Sequence, residues 1–276
     1  MTFSEILRNA QATNDSMLCV GLDPEPSKFP LAWTNKPART FDFCAAIVDA
    51  TKDLVCAFKP QIAYFAAMRA EAQLERLLAY IRRVAPSVPV ILDAKRGDIG
   101  ATAEQYAREA FERYQADALT LSPLMGFDSL EPYLRWRDKG LILLCRTSNP
   151  GGSELQAQRL DNGDLLYEHI ARLAAGDWNR GGQLGLVVGA TFPGEIARVR
   201  ELAPTLPLLI PGIGAQGGDA AATVRAGWRG GDQSAPLIVS SSRAVLYASA
   251  AADFAVAARG VADVTRRQLN AARGPN

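Results

Sequence analysis

Eight short apolar runs recur along the chain, beginning near residues 17 (MLCVGLD), 55 (VCAFKP), 88 (VPVILDAK), 118 (ALTLSP), 141 (LILLCRTS), 184 (LGLVVGAT), 206 (LPLLIPG) and 236 (PLIVSSS). Most are continuously apolar rather than alternating, the pattern of parallel strands covered on both faces. Their starts lie about 31 residues apart on average, the length of a strand, a crossover helix and the next strand. Segments of helical period fill the intervals. Residues 66–84 place Leu74, Leu77, Leu78, Ile81 and Val84 at spacings of three and four before Pro86 stops the helix. Similar stretches fall at 40–53, 102–114, 163–175, 194–203 and 253–270. Eight β/α units without a dividing linker predict an α/β fold, a (β/α)8 TIM barrel spanning residues 1–276 as a single domain. A doubly wound open sheet is the alternative.

Composition narrows the chemistry. The 276 residues are 48% hydrophobic and 21% charged, as in a globular chain, and 30 Lys and Arg against 29 Asp and Glu leave a formal charge of +1. No net field draws the chain to nucleic acid or anionic membrane, so a partner must be recognised locally. The first 16 residues lack a basic segment followed by an apolar one, and no run of 18 apolar residues occurs, so a soluble, cytoplasmic protein is expected. Cys19, Cys44, Cys56 and Cys145 stand far apart and are expected to be reduced core thiols. The single histidine, His169, sits in the helical pattern LLYEHIARLAA, which argues against multi-histidine metal sites and a Ser-His-Asp triad. Chemistry must then fall to Lys, Asp, Glu or Arg.

Polar residues close almost every run: Asp23, Lys59, Asp93 with Lys95, Ser122, Ser148, and Ser240 to Arg243. In a barrel these strand ends share one face, and the loops after strands build the catalytic mouth. The long segments 24–38 and 149–163 follow strand ends and are candidate lids or substrate walls; 227–235 is a third long loop. Asp93 and Lys95, two residues apart, point to the same side if the strand persists, which would set a carboxylate beside an ammonium able to protonate a carbanion. The alternative is a salt bridge at the barrel end, with Asp98 and Thr102 initiating a helix, since Thr102-x-x-Gln105 fits a capping box. Both readings remain open on these residues alone. Pro211-Gly212-Ile213-Gly214-Ala215-Gln216-Gly217-Gly218 and the later Ser240 to Arg243 follow runs seven and eight, where barrels commonly hold phosphate. Gly212, Gly214 and Gly217 also satisfy GxGxxG, but at the wrong strand for a dinucleotide fold.

With these motifs placed, the sequence resembles the orotidine 5′-phosphate decarboxylase family over nearly its whole length. The family signature Asp-x-Lys-x-x-Asp-Ile-x-x-Thr stands as Asp93, Lys95, Asp98, Ile99 and Thr102, and the Pro-Gly-x-Gly-x-Gln loop as Pro211 to Gln216. LDAKRGDIG, RTSNPG and the extended loops resemble the longer bacterial subgroup, type 2. The resemblance implies decarboxylation of orotidine 5′-phosphate to UMP, with no metal or organic cofactor. It further implies a charged array of Lys59, Asp93, Lys95 and Asp98, with Asp98 entering from the second subunit of a homodimer. By the same analogy Asp23 and Lys59 bind ribose hydroxyls, Thr102 serves the ribose and subunit junction, and Ser148 contacts the pyrimidine. Pro211, Gln216 and Arg243 hold phosphate, and Ser122 and Asn149 lie in matching loops. The competing readings are a Mg2+-dependent sugar-phosphate aldolase or decarboxylase of the same barrel group, and a nucleotide-binding barrel without chemistry.

Overall fold

The computed structural model describes residues 1–213, 218–230 and 235–273. Its strands are β1 (Leu18–Leu22), β2 (Ala57–Pro60), β3 (Ile91–Arg96), β4 (Ala118–Leu121), β5 (Gly140–Arg146), β6 (Leu184–Val188), β7 (Leu208–Pro211) and β8 (Leu237–Ser241). Each falls in or against one of the eight apolar runs. All ladders are parallel in the order β2-β1-β8-β7-β6-β5-β4-β3. The remaining gap, between β2 and β3, is spanned by the parallel bridges Phe58↔Val90 and Gln61↔Asp93, so the sheet curls into a barrel rather than staying open.

Inside the barrel, Cys19, Cys56, Ala57, Ile91, Ala118, Ile142, Val187, Leu209 and Ile238 form one apolar cluster. A larger cluster lies between the strands and the surrounding helices. All four cysteines are buried and free, and burial pushes their thiols up. None of the described helices is long and apolar enough to cross a membrane.

The structure departs from the sequence pattern in instructive places. The helix expected at 66–84 is two helices, Ile62–Ala67 and Glu71–Val84, separated by Arg69 with φ 54°. Phe65 and Leu74 are nine residues apart, about two and a half turns, so a single helix would point them to opposite faces. The left-handed residue resets the phase and lets both reach the core. The segment expected at 102–114 begins earlier, at Gly100, and changes from α to π geometry over Glu109–Arg113. Thr102 is therefore the third helical residue and exposed, so it caps nothing; Ile99 occupies the N-cap.

An N-terminal helix, Phe3–Asn14, was not expected from periodicity, although its signal is present as Thr2-x-x-Glu5. The Thr2 amide donates to Glu5 Oε2 at 2.7 Å, and the Glu5 amide to Thr2 Oγ1 at 3.4 Å. This helix delivers Phe3 and Leu7 into the barrel cluster at the end where the strands begin. Gly140 opens β5 there, and a Cβ at that position would lie 2.3 Å from the Phe3 ring.

Phe3→Ala should therefore cost about 3 kcal/mol of stability, the scale for emptying a buried aromatic site. Urea unfolding checks the loss, and turnover at temperatures where the variant is folded should be unchanged, because the opposite end of the barrel carries the charged residues.

Candidate active site

Burying a charge is tolerable only when it is paired, and the ends of β2, β3 and β4 meet around one such charge. Lys59 Nζ from β2 lies 2.8 Å from Asp93 Oδ2, and Lys95 Nζ lies 2.6 Å from Asp93 Oδ1. Thr120 Oγ1 of β4 donates to Asp93 Oδ1 at 2.9 Å. The side chains of Lys59 and Asp93 are 7% and 9% exposed, whereas that of Lys95 is 46% exposed and borders solvent at the mouth. Burial would raise the Asp93 pKa, but the Lys59 and Lys95 charges outweigh it and hold the carboxyl well below the usual range. Burial likewise would lower that of Lys59, yet Asp93 and then Asp23 more than offset it and hold the ammonium above its usual value. The result is a fixed array of alternating charge.

Asp23 stands just past β1, which pairs with β2 through Gly21↔Lys59 and with β8 through Val20↔Ser241. The Ser242 hydroxyl donates to Asp23 Oδ2, and the Tyr247 hydroxyl donates to the Asp23 carbonyl at 2.9 Å. The other carboxylate oxygen, Oδ1, is buried and has no hydrogen-bond partner among the described residues. A buried orphan acceptor next to the lysines is suited to a ligand hydroxyl.

Ser148 follows β5 and packs against the end of β6: a Cβ at Gly189 would stand 2.7 Å from the Ser148 backbone nitrogen. Its loop is fastened by Arg146, almost fully buried. The Arg146 guanidinium meets Glu195 Oε2 at 2.7 Å and Ser153 Oγ at 2.8 Å, and stacks over Phe192 with its carbon 4.8 Å from the ring centre. Gln156 Oε1 accepts the Thr147 amide at 2.8 Å, and Asn149 Oδ1 accepts the Thr147 hydroxyl at 2.6 Å. The segment 149–163 is thus partly ordered as a short helix, Gly152–Gln156, rather than a bare loop. Sequence reasoning gave no role to Arg146, Gln156 or Thr120: Thr120 and Arg146 act through Asp93 and Glu195, distant in the chain, and Gln156 through a turn of its own loop back to Thr147.

Pro211 ends β7 and pairs with Ser240 of β8, so the expected phosphate segment and Arg243 emerge from adjacent strands. Arg243 is exposed at the start of the short helix Arg243–Leu246. Gln216 lies outside the described residues. Ser122 follows β4, its amide donating to the Arg96 carbonyl at 2.7 Å. Asp98 and Thr102 do not join the array. The Asp98 side chain accepts from the Ile99 amide at 2.8 Å and forms no salt bridge among the described residues.

Two linked signs follow for stability. Asp93, its pKa depressed on folding, stabilises fully above its unfolded value of about 3.9 and loses that contribution as pH falls toward the folded value. Lys59, its pKa raised, contributes fully below its unfolded value of about 10.4 and loses this only at higher pH. Lys59→Met leaves Asp93 buried against the half-exposed Lys95 alone and should cost about 3–5 kcal/mol near neutrality. Urea titrations should show the deficit narrowing between about pH 7 and 4, as the variant's Asp93 takes up a proton. A constant deficit would mean that Asp93 is not the charge Lys59 neutralises.

Known proteins are similar to the chain over its whole length. The model of the orotidine 5′-phosphate decarboxylase / HUMPS family matches residues 16–260. The chain is 75% identical over 278 residues to orotidine 5′-phosphate decarboxylase of Methylibium petroleiphilum, covering 99% of this chain and 100% of that protein. It is 69% identical to the corresponding protein of Albidiferax ferrireducens, with both chains fully covered. Among solved structures, OMP decarboxylase of Leishmania donovani superposes with a TM-score of 0.86 at 39% identity over the full length of both chains. A barrel in which the signature residues Asp93 and Lys95 meet Lys59 at the ends of β2 and β3, with this similarity over its whole length, belongs to the orotidine 5′-phosphate decarboxylase / HUMPS family.

Proposed function

We propose that the chain converts orotidine 5′-phosphate to UMP and CO2 in pyrimidine synthesis, with the Lys59–Asp93–Lys95 array performing the chemistry within a single barrel domain. The observation that carries this reading is the half-exposed Lys95 ammonium held 2.6 Å from a buried carboxylate at the barrel mouth. When the bond from C6 of the pyrimidine to the carboxylate breaks, its electron pair stays on C6 and CO2 departs. The Lys95 ammonium stabilises that developing charge more than it stabilises the neutral carbon before it, and only such differential binding accelerates a reaction. It then transfers a proton to C6, and Lys95 is reprotonated from solvent. No metal or organic cofactor takes part.

Asp23, with its buried orphan oxygen, and Lys59 bind the ribose hydroxyls. Ser148 contacts the pyrimidine, and Pro211, Gln216 and Arg243 hold the phosphate. Those phosphate contacts are remote from C6, yet their binding energy can be spent on orienting the reacting carbon. Asp98 completes the array of the partner in a homodimer, and Thr102 lies at that junction. This placement is supported by the lack of a salt bridge to Asp98 among the described residues and by exposed apolar side chains in the two loops beside it. Ile99 is 53% exposed, Leu124 66% and Met125 46%, a patch suited to burial against a second copy. An absorbance assay with orotidine 5′-phosphate in the presence of EDTA tests the reading: turnover is expected, and its absence overturns it.

Lys95→Ala should lower kcat by at least the roughly 10²- to 10³-fold typical of one charge-stabilising group while UMP still binds. A folded variant keeping more than about a tenth of wild-type kcat at saturation removes Lys95 from the mechanism.

The shared site makes a separate prediction. Lys95→Ala and Asp98→Asn homodimers should each be nearly inactive, whereas exchanging their subunits yields heterodimers in which one site collects both defects and the other none. Activity should return to about a quarter of wild type under random exchange. Exchange verified by mass spectrometry without recovery would place Asp98 in its own subunit's site.

A further inference from the structure

The backbone that carries the array is irregular. Lys95 adopts φ 47°, the left-handed region that a residue with a Cβ avoids, and the β3–β4 register shifts between Leu92 and Arg96. One buried hydroxyl meets that irregularity. Thr120 Oγ1 accepts the amides of both Ala94 and Lys95 at 3.0 Å, and donates its own hydrogen to Asp93 Oδ1 at 2.9 Å. A threonine hydroxyl has one hydrogen and two lone pairs, so all of its capacity is used.

We infer that Thr120 is a positioning residue for decarboxylation, fixing the left-handed backbone from which Lys95 projects and the carboxylate that its ammonium meets. Nothing of the hydroxyl is left for substrate, and at 1% exposure Thr120 does not border the mouth, so it acts only through Lys95 and Asp93. The two contacts serve one geometry. The amide bonds set where the lysine side chain starts, and the bond to Asp93 sets where its Nζ ends. Strained backbone conformations persist only where the surroundings over-determine them, and Thr120 supplies that determination from the neighbouring strand. The inference rests on the assignment of Lys95 as the group acting at C6.

Thr120→Val keeps the branched shape and removes the hydroxyl. Its kcat is expected to fall about 10- to 100-fold, the consequence of misplacing a catalytic group by about 1 Å, while the UMP dissociation constant changes less than about threefold. Thr120→Ser and Thr120→Ala, which differ from each other only by the hydroxyl, form a second comparison that decides the matter if the valine variant does not fold. Serine should keep kcat within about threefold of wild type and alanine should not. Equal kcat in the serine and alanine variants, or a folded valine variant with wild-type kcat, overturns the inference. Lys95→Ala measured alongside separates the two ideas. An active Lys95→Ala enzyme removes the assignment of Lys95 and this inference with it. An inactive one beside a fully active Thr120→Val enzyme removes only the role of Thr120.

Discussion

An ionised carboxylate with 9% of its side chain exposed, between two lysines, sets the terms for the rest of the molecule. Alone, such a charge would take up a proton or draw in water; with ammonium groups at 2.8 and 2.6 Å it stays ionised. Those distances leave little tolerance, and the three residues come from two strands that share no continuous ladder. The backbones of the β2–β3 seam are joined by the bridges Phe58↔Val90 and Gln61↔Asp93 rather than by a ladder, and the Lys59–Asp93 pair crosses that seam. The charge array thus sits where the barrel closes. Closure brings the pair together, and the pair in turn ties the closing strands.

The two ends of the barrel solve different problems. Where the strands begin, Phe3 and Leu7 complete an apolar interior that needs no solvent and no partner charge. Where they end, buried polar groups are satisfied by one another, as in the Arg146 clamp that reaches Glu195 and Ser153. This separation lets the mouth hold an unpaired acceptor on Asp23 and a left-handed Lys95 without unsettling the apolar end. Strain of this kind belongs at a site whose surroundings can bear it.

The same arrangement suits a reaction whose obstacle is charge appearing on carbon. An ammonium already fixed by Asp93 has no reorganisation to undergo when that charge develops, whereas water would have to turn toward it. Lys59 is buried and Lys95 is half-exposed, so one lysine pairs with Asp93 from within the barrel and the other pairs with it from the solvent side. Ile99, Leu124 and Met125 leave apolar side chains exposed in the loops beside Asp98, at the same end of the barrel.

The chain by itself determined the eight strands, because continuous apolar runs at β/α spacing have few ways to be buried other than as parallel strands under helices. It also displayed the charged motif, since Asp93, Lys95, Asp98 and Thr102 are neighbours in sequence. Their grouping there did not decide their grouping in space. Asp93 and Lys95 do meet, through a left-handed bulge rather than by plain strand alternation, while Asp98 and Thr102 diverge from them. The helix expected over 66–84 begins only at Glu71, because Phe65 just before it would fall on the face opposite Leu74 in one continuous helix, a conflict legible in the spacing only once the core is known. Thr120, Arg146 and Gln156 were invisible for a different reason. Each is an ordinary polar residue whose meaning lies in hydrogen bonds that the fold decides: Thr120 meets Asp93 of the neighbouring strand, Arg146 meets Glu195 after β6, and Gln156 meets Thr147 only because their loop turns back on itself.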